Sequence, residues 1–515
     1  MTAQNDHAQS PYAEVSYQGV ADPGAHVRCL EGLATLFGIQ PVDITQCRVL
    51  ELGCASGRNL IPQAQDYPNS RFVGVDFAAD QVADGQFIID ELGLDNIELR
   101  HASFADLDAS WGQFDYILCP GVFSWVAPEL QEKILTVCRE NLAPQGVAVI
   151  SYNVYPGWHS KRLARDLMRY HAGTFDDPGR QVAEARSALE LVADSAPAET
   201  VQGRVFRSER DYLRTVRDDY LYHDYLVEDN RPLYFHEFVG RAEKHDLQFV
   251  SDASFARMSG TFMSSEVQKV LARTPLVQRC QLLDFLRNES FHKTLLCHRQ
   301  VTLDRQWKPE GMARFHFSLV ERPQPINLDL GSHEPAGIQF SQGRLTTSDP
   351  LGKAAIKHLV DIWPETAQLD DLHAAAIVEL PSTARTESSE GDAGRNTLAG
   401  AMLGAFVAGL LKICLHPPKL FNSISDTPRV TPLSRLLAQR GNTLVNQIHE
   451  NAVLDDLQNF IASRLDGQWD RAALLEELDQ AVASGQLKIE GNSQSTAEAL
   501  DSALSEFCKR ALLVG

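Results

Sequence analysis

What this chain of 515 residues lacks narrows what it can do. Basic residues are scarce: Lys and Arg total 47 against 68 Asp and Glu, a formal net charge of −21. A surface this acidic repels a phosphate backbone unless it hides a local basic groove, so nucleic acid is not an expected partner. The nine cysteines, from Cys29 to Cys508, contain no C-x-x-C pair and no zinc-like spacing. There is no H-E-x-x-H either, and neither Tyr222-His223-Asp224 nor Phe235-His236-Glu237 sets two ligands one turn apart, so no metal is assigned. An uncharged stretch from Asn396 to Leu411 is shorter than the roughly 20 residues a spanning helix needs, and Gly and Ala dilute it. It reads as a buried small-residue helix, without membrane insertion. No apolar segment follows the opening MTAQNDHAQS, so no signal peptide is expected, and the thiols point to a reduced, cytoplasmic setting.

What is present is ordinary globular material, 44% hydrophobic and 22% charged, in a chain too long for one core to organise. From Arg48 onward RVLELGC, RFVGVDF, NIELRHAS, FDYILCP and GVAVISYN are short β-rich runs separated by segments long enough for helices. That alternation predicts an α/β unit with a largely parallel sheet, and the apolar runs VLEL, FVGV, YIL and VAVI suit strands buried on both faces. The expected division is an N-terminal lid segment over 1–47, an α/β domain over 48–170, a helical linker over 171–204 and a helical middle unit over 205–305. A C-terminal α+β, winged-helix-like region follows over 306–515. Within it, GIQFS, GRLTT and GQLKIEG read as strands, and TARTESSEGDAGRNT (383–397) as an exposed loop.

The most specific segment is VLELGCASGRNL, residues 49–60. An apolar strand ends at Glu51, and the turn Gly53-Cys54-Ala55-Ser56-Gly57 opens a helix, with glycines allowing tight backbone geometry. The next strand, RFVGVD, ends in Asp76, an acid placed to take the two hydroxyls of a ribose. The pattern is E-x-G-x-A-x-G instead of the dinucleotide G-x-G-x-x-G. Glu51 would repel a diphosphate and attract an amino group.

This constellation resembles motif I of the class I S-adenosylmethionine (SAM) methyltransferases, with a Rossmann-like fold. The resemblance implies SAM as cofactor, held by Glu51, Gly53, Cys54, Ala55, Gly57, Asp76 and Phe77. Ala55 stands where many members have a middle glycine. After the third strand Ser103 occupies the position of an acid that commonly takes the adenine amino group, leaving Phe104 to cover the ring. Pro120 begins the rim after the fourth strand, which lacks the (N/D)-P-P-(Y/F) of many amide and base methylases. With GVFSWV, YNVYPGWH (152–159) and YFHEFVGRAEKHDLQFV, the chain is similar to bacterial methyltransferases carrying a methyltransferase regulatory domain, which include the rickettsial protein lysine methyltransferases. That resemblance implies transfer to protein lysine.

SN2 transfer from a sulfonium asks for alignment and desolvation of a neutral nucleophile more than for a strong base. Tyr152, Asn153, Tyr155, Trp158, Trp125 and, in the lid segment, Tyr12 and Tyr17 are the candidate acceptor-site residues. The tyrosines and Phe235 between 212 and 235 are a candidate cleft wall. Two alternatives stay open: a small-molecule methyltransferase, and a SAM-binding scaffold that recruits a partner.

Overall fold

The computed structural model describes residues 19–323, 327–341, 343–421, 423–441, 443–488 and 495–515; Tyr12 and Tyr17 lie outside them. Five strands, β1 (Arg48–Leu52), β2 (Arg71–Asp76), β3 (Ile97–His101), β4 (Phe114–Cys119) and β5 (Leu142–Tyr155), form the expected parallel sheet. The two-residue β6 (Leu233–Tyr234) lies beside the end of β5. β7 (Leu247–Asp252) and β8 (Phe291–His298) extend the sheet, in the order β3-β2-β1-β4-β5-β8-β7, with β8 antiparallel to both neighbours.

The segment 205–305 therefore carries helices as expected and also completes the sheet. FHKTLLC, within the unit expected to be helical, is strand β8: the helix Leu276–Arg287 stops at Asn288, which adopts a left-handed conformation (φ 52°).

Alternation along the strands builds two cores. Val49, Tyr116, Leu118, Val147 and Val149 face one side, in an apolar cluster shared with Leu30 and Leu33 of the helix Val27–Leu36 and with Leu433, Leu504 and Phe507 of the C-terminal region. Leu50, Leu52, Ile117, Ile150, Tyr152 and Val154 face the other side. There they pack on Ile134 and Leu135 of the helix Pro128–Asn141 and on Phe238 of the helix Phe235–Lys244. Burying each such Leu, Ile or Phe contributes about 2 kcal/mol. A third cluster joins the helices Gly157–Ala172, Pro178–Ser195 and Val201–Leu213. The second of these starts where its sequence says it should, with Asp177 accepting from the Arg180 amide and proline in the first turn.

Beyond residue 306, β9 (His316–Leu319) is the centre of a small antiparallel sheet. A hairpin follows, β10 (Ala336–Phe340) with β11 (Gly343–Thr347), where GIQFS and GRLTT were expected as strands. β12 (Ala367–Gln368) and β13 (Leu411–Cys414) then flank β9. The small-residue helix is Gly391–Val407, so it begins inside the stretch expected to be a loop. The last helices, Pro432–Gln439, Asp456–Ala462, Arg471–Ala483 and Thr496–Lys509, are accompanied by two short pairs. These are β14 (Arg429–Val430) with β17 (Leu513–Val514), and β15 (Leu444–Val445) with β16 (Asn451–Ala452). In GQLKIEG, residues 485–488 form no strand, and 489–491 lie outside the described residues. Among the described residues no helix is long and apolar enough to cross a membrane.

Candidate active site

The turn after β1 is shaped by what lies above and below it. Gly53 (φ 75°) and Gly57 (φ 72°) are left-handed, and a Cβ on Gly53 would sit 2.3 Å from Cγ2 of Val122, so the loop after β4 rests on bare backbone. Ala55 is left-handed as well (φ 46°), and its N–H donates to Oδ2 of Asp76 at 2.8 Å. The Gly53 and Cys54 amides donate to the Val75 carbonyl at 2.8 and 3.2 Å, and that of Gly57 to the Cys54 carbonyl at 2.8 Å. These four amides are committed within the protein and are not free to cradle a diphosphate.

Two acids mark the site instead. Glu51 is 2% exposed. Desolvation pushes its carboxyl up to about 8, with the Asp22 and Asp76 charges adding to the rise and the hydrogen bond from Asn59 opposing it. Asp76, also buried at the tip of β2, accepts from the Ala55 and Ala78 amides. Burial raises its pKa while those amides pull it down.

The remaining expected cofactor contacts separate. Phe77 is 48% exposed beside Asp76, and the Pro120 rim is partly open. Cys54 is buried, its sulfur close to Gly74, and burial holds the thiol well above its usual range. Phe104 does not lie open as a cover for a ring: it is buried beneath Gly53 in the core that holds Leu52 and Val75. The Ser103 hydroxyl caps the short turn Phe104–Asp106, accepting from the Ala105 amide, while Asp106 accepts from the Ser103 amide. An acid is thus at hand three residues after the serine, spent on a capping box.

The acceptor candidates also divide. Tyr152 does not reach a cleft. β5 runs on to Tyr155, so Tyr152 shares the inward face of Ile150 and Val154, stacks on Phe238 at 4.0 Å and pairs its hydroxyl with Thr294 at 2.9 Å. Asn153, buried on the same strand, donates from Nδ2 to Oδ1 of Asn230 at 3.1 Å, and its backbone N–H donates to the Ser124 hydroxyl. Trp125 and Trp158 meet edge to face at 6.3 Å; Tyr155 stacks on His159 at 4.1 Å beside Tyr234. The ends of β4 and β5 thus carry an aromatic surface in two groups, in which Trp158 is only 4% exposed. Lys161 continues it, with Nζ 5.6 Å from the Trp158 ring centre and 5.2 Å from that of Tyr212. Burial pushes the nearby Asp224 carboxyl up to about 7 against the pull of Lys161 and Tyr220.

Known proteins match this chain from end to end. Residues 45–195 fit the family described as "Methyltransferase domain", 217–298 the "Predicted methyltransferase regulatory domain", and 426–514 the "PKMT, C-terminal winged helix domain". The uncharacterized protein RP789 of Rickettsia prowazekii is 33% identical over 99% of this chain and 94% of its own length. PKMT2 from Rickettsia typhi superposes with a TM-score of 0.84 at 26% identity, covering 97% of this chain and all of that one. Its complex with AdoHcy gives 0.85 at 27%. The chain belongs to the SAM-dependent methyltransferases with a regulatory domain.

Two parts of the methyltransferase's candidate site were not anticipated. Asn59 donates from Nδ2 to Oε2 of Glu51 at 3.2 Å; its place in RNL just after the glycine turn was the available signal. Val122, lying on Gly53, sits inside the quoted GVFSWV, but nothing local aims it at the turn.

Proposed function

We propose that the methyltransferase transfers methyl groups from SAM to the ε-amino group of lysine in a protein substrate. What supports this most is the end-to-end correspondence with PKMT2, a rickettsial protein lysine methyltransferase whose structure includes an AdoHcy complex. The site fits the cofactor. Glu51 is a desolvated carboxyl with no cation bonded to it among the described residues, suited to the amino group of the methionine portion. Asp76 suits the ribose, and the half-exposed Phe77 suits the adenine face. Gly53, Ala55 and Gly57 hold the turn open for it, with Cys54 as packing behind. When bound, SAM supplies a methyl group already activated on sulfonium.

The chain's own residues prepare the acceptor. Trp125, Tyr155 and Trp158 form the wall along which the lysine stem lies, excluding water and favouring the neutral amine over an ammonium whose free pKa is about 10.4. Lys161 over Trp158 and Tyr212 illustrates that these rings accommodate an aminoalkyl chain. Asn153, tied to Asn230 and Ser124, fixes the end of β5 on which the wall stands. We assign 1–47 as the lid segment, 48–170 as the catalytic domain, 171–204 as the linker, 205–305 as the regulatory domain and 306–515 as the winged-helix region. We place the protein in the bacterial cytoplasm, where nine free cysteines stay reduced.

The test uses methyl-labelled SAM and lysate from a strain lacking the gene, with Asp76→Ala as the blank. Label recovered as methyl-lysine in protein hydrolysates is the expected result. Label confined to small molecules would overturn the lysine assignment.

A further inference from the structure

The C-terminal region touches the cofactor turn through one buried ring. His449, in the loop between β15 and β16, is 3% exposed and left-handed (φ 63°), a conformation uncommon outside glycine. It places Nε2 2.9 Å from Oδ1 of Asn59, 390 positions earlier in the chain. The backbone N–H of Asp22 donates to the same oxygen at 3.0 Å. A main-chain donor leaves no ambiguity about that amide's orientation, so Nδ2 must face the other way, toward Oε2 of Glu51. Burial, helped by Arg28, lowers the pKa of His449 to about 3, so the ring is neutral and its single proton is on Nε2. His26 packs edge to face on the ring at 4.6 Å.

Neighbouring bonds clamp the same place. Asn451 exchanges two hydrogen bonds with the backbone of Ala21, at 3.0 and 2.8 Å, and Arg58 donates to the Thr443 carbonyl at 3.1 Å. Arg440 pairs with Asp84 on the same interface, within electrostatic reach of Arg58 and through atoms other than those of Asn59.

We infer that His449 is a positioning residue for the cofactor: it orients Asn59, Asn59 orients the Glu51 carboxyl, and the winged-helix region is thereby a working part of the SAM site. The inference rests on the cofactor reading above. It makes cofactor affinity dependent on how the C-terminal region is seated, and requires SAM in turn to tighten that seating.

The test measures SAM binding by calorimetry and initial rates on the full chain. His449→Phe keeps a ring against His26 and removes the donor; it is expected to raise the SAM Kd and KM about tenfold with kcat at saturating SAM unchanged. His449→Gln, which offers an amide N–H, should return Kd to within about threefold of wild type. Asn59→Ala should raise Kd similarly, and the double variant should add little to either single change. Arg440→Ala, which loosens the interface through atoms other than those of Asn59, should leave Kd unchanged. Wild-type affinity in His449→Phe, or an equal rise in Arg440→Ala, would overturn the positioning role. If His449→Phe does not fold, wild-type affinity in Asn59→Ala would do so. A wild-type chain that binds no SAM would remove the cofactor reading itself.

Discussion

At the scale of single residues, Glu51 makes the sharpest prediction. In the free protein its carboxyl holds a proton up to about pH 8, chiefly because it is desolvated. A cationic amino group brought against it favours the ionised form, so binding expels a proton below that pH. SAM affinity should climb with pH toward about 8 and fall again above it, where the ligand's own α-amino group, with a free pKa of about 7.7–8.0, loses its charge. Calorimetry at pH 7 in two buffers of different ionisation enthalpy should find a proton released, approaching one per site, and Glu51→Gln should release none. Asp76→Ala should weaken SAM binding by roughly tenfold or more in the same instrument, through lost hydrogen bonds to the ribose. Both acids were legible because their signal is local: a strand, a glycine turn, and an acid at the tip of the following strand. Tyr152 was misplaced because SYNVY reads equally well as a loop or as two further residue pairs of strand; only its alternation with Ile150 and Val154 shows which way it points.

At the scale of elements, β7, β8 and the helix Leu276–Arg287 are joined by a buried triad. His292 lies between Asp252, 2.7 Å from Nδ1, and Asp284, 2.9 Å from Nε2. Burial alone would lower the ring's pKa, but the two hydrogen-bonded carboxylates outweigh it and lift it to about 9. A raised folded-state pKa contributes stability that is fully present below the unfolded value near 6.5 and is lost as pH climbs through 9. Urea midpoints should therefore fall between pH 6.5 and 9. His292→Gln, which strands two buried carboxylates, should cost about 3–5 kcal/mol at pH 6.5. The sequence conceals this element because FHKTLLC follows a helix without a proline or glycine break. Asn288, followed by Glu-Ser, was the stop signal, and its weight depends on a left-handed backbone visible only once folded.

For the whole molecule, the core under β1 and β4 is continuous with Leu433, Leu504 and Phe507 near the far end of the chain. Scanning calorimetry should accordingly record one main transition spanning the sheet and the winged-helix region. SAM at a hundredfold excess over Kd should stabilise it by about 2.7 kcal/mol. Two separate transitions, only one of them moved by SAM, would contradict this. The parallel sheet could be read from the sequence because each βα unit is built by its own neighbours. The attachment of the C-terminal region could not, since nothing near Asn59 or His449 records that they meet. That separation bears on how the protein is made. A ribosome adding about 5–20 residues per second delivers Glu51, Asn59 and Asp76 early, and His449 only after 390 further positions beyond Asn59 have been joined. For that interval the nascent chain carries the glycine turn without the ring that steadies it, so full affinity for SAM arrives with the finished polypeptide.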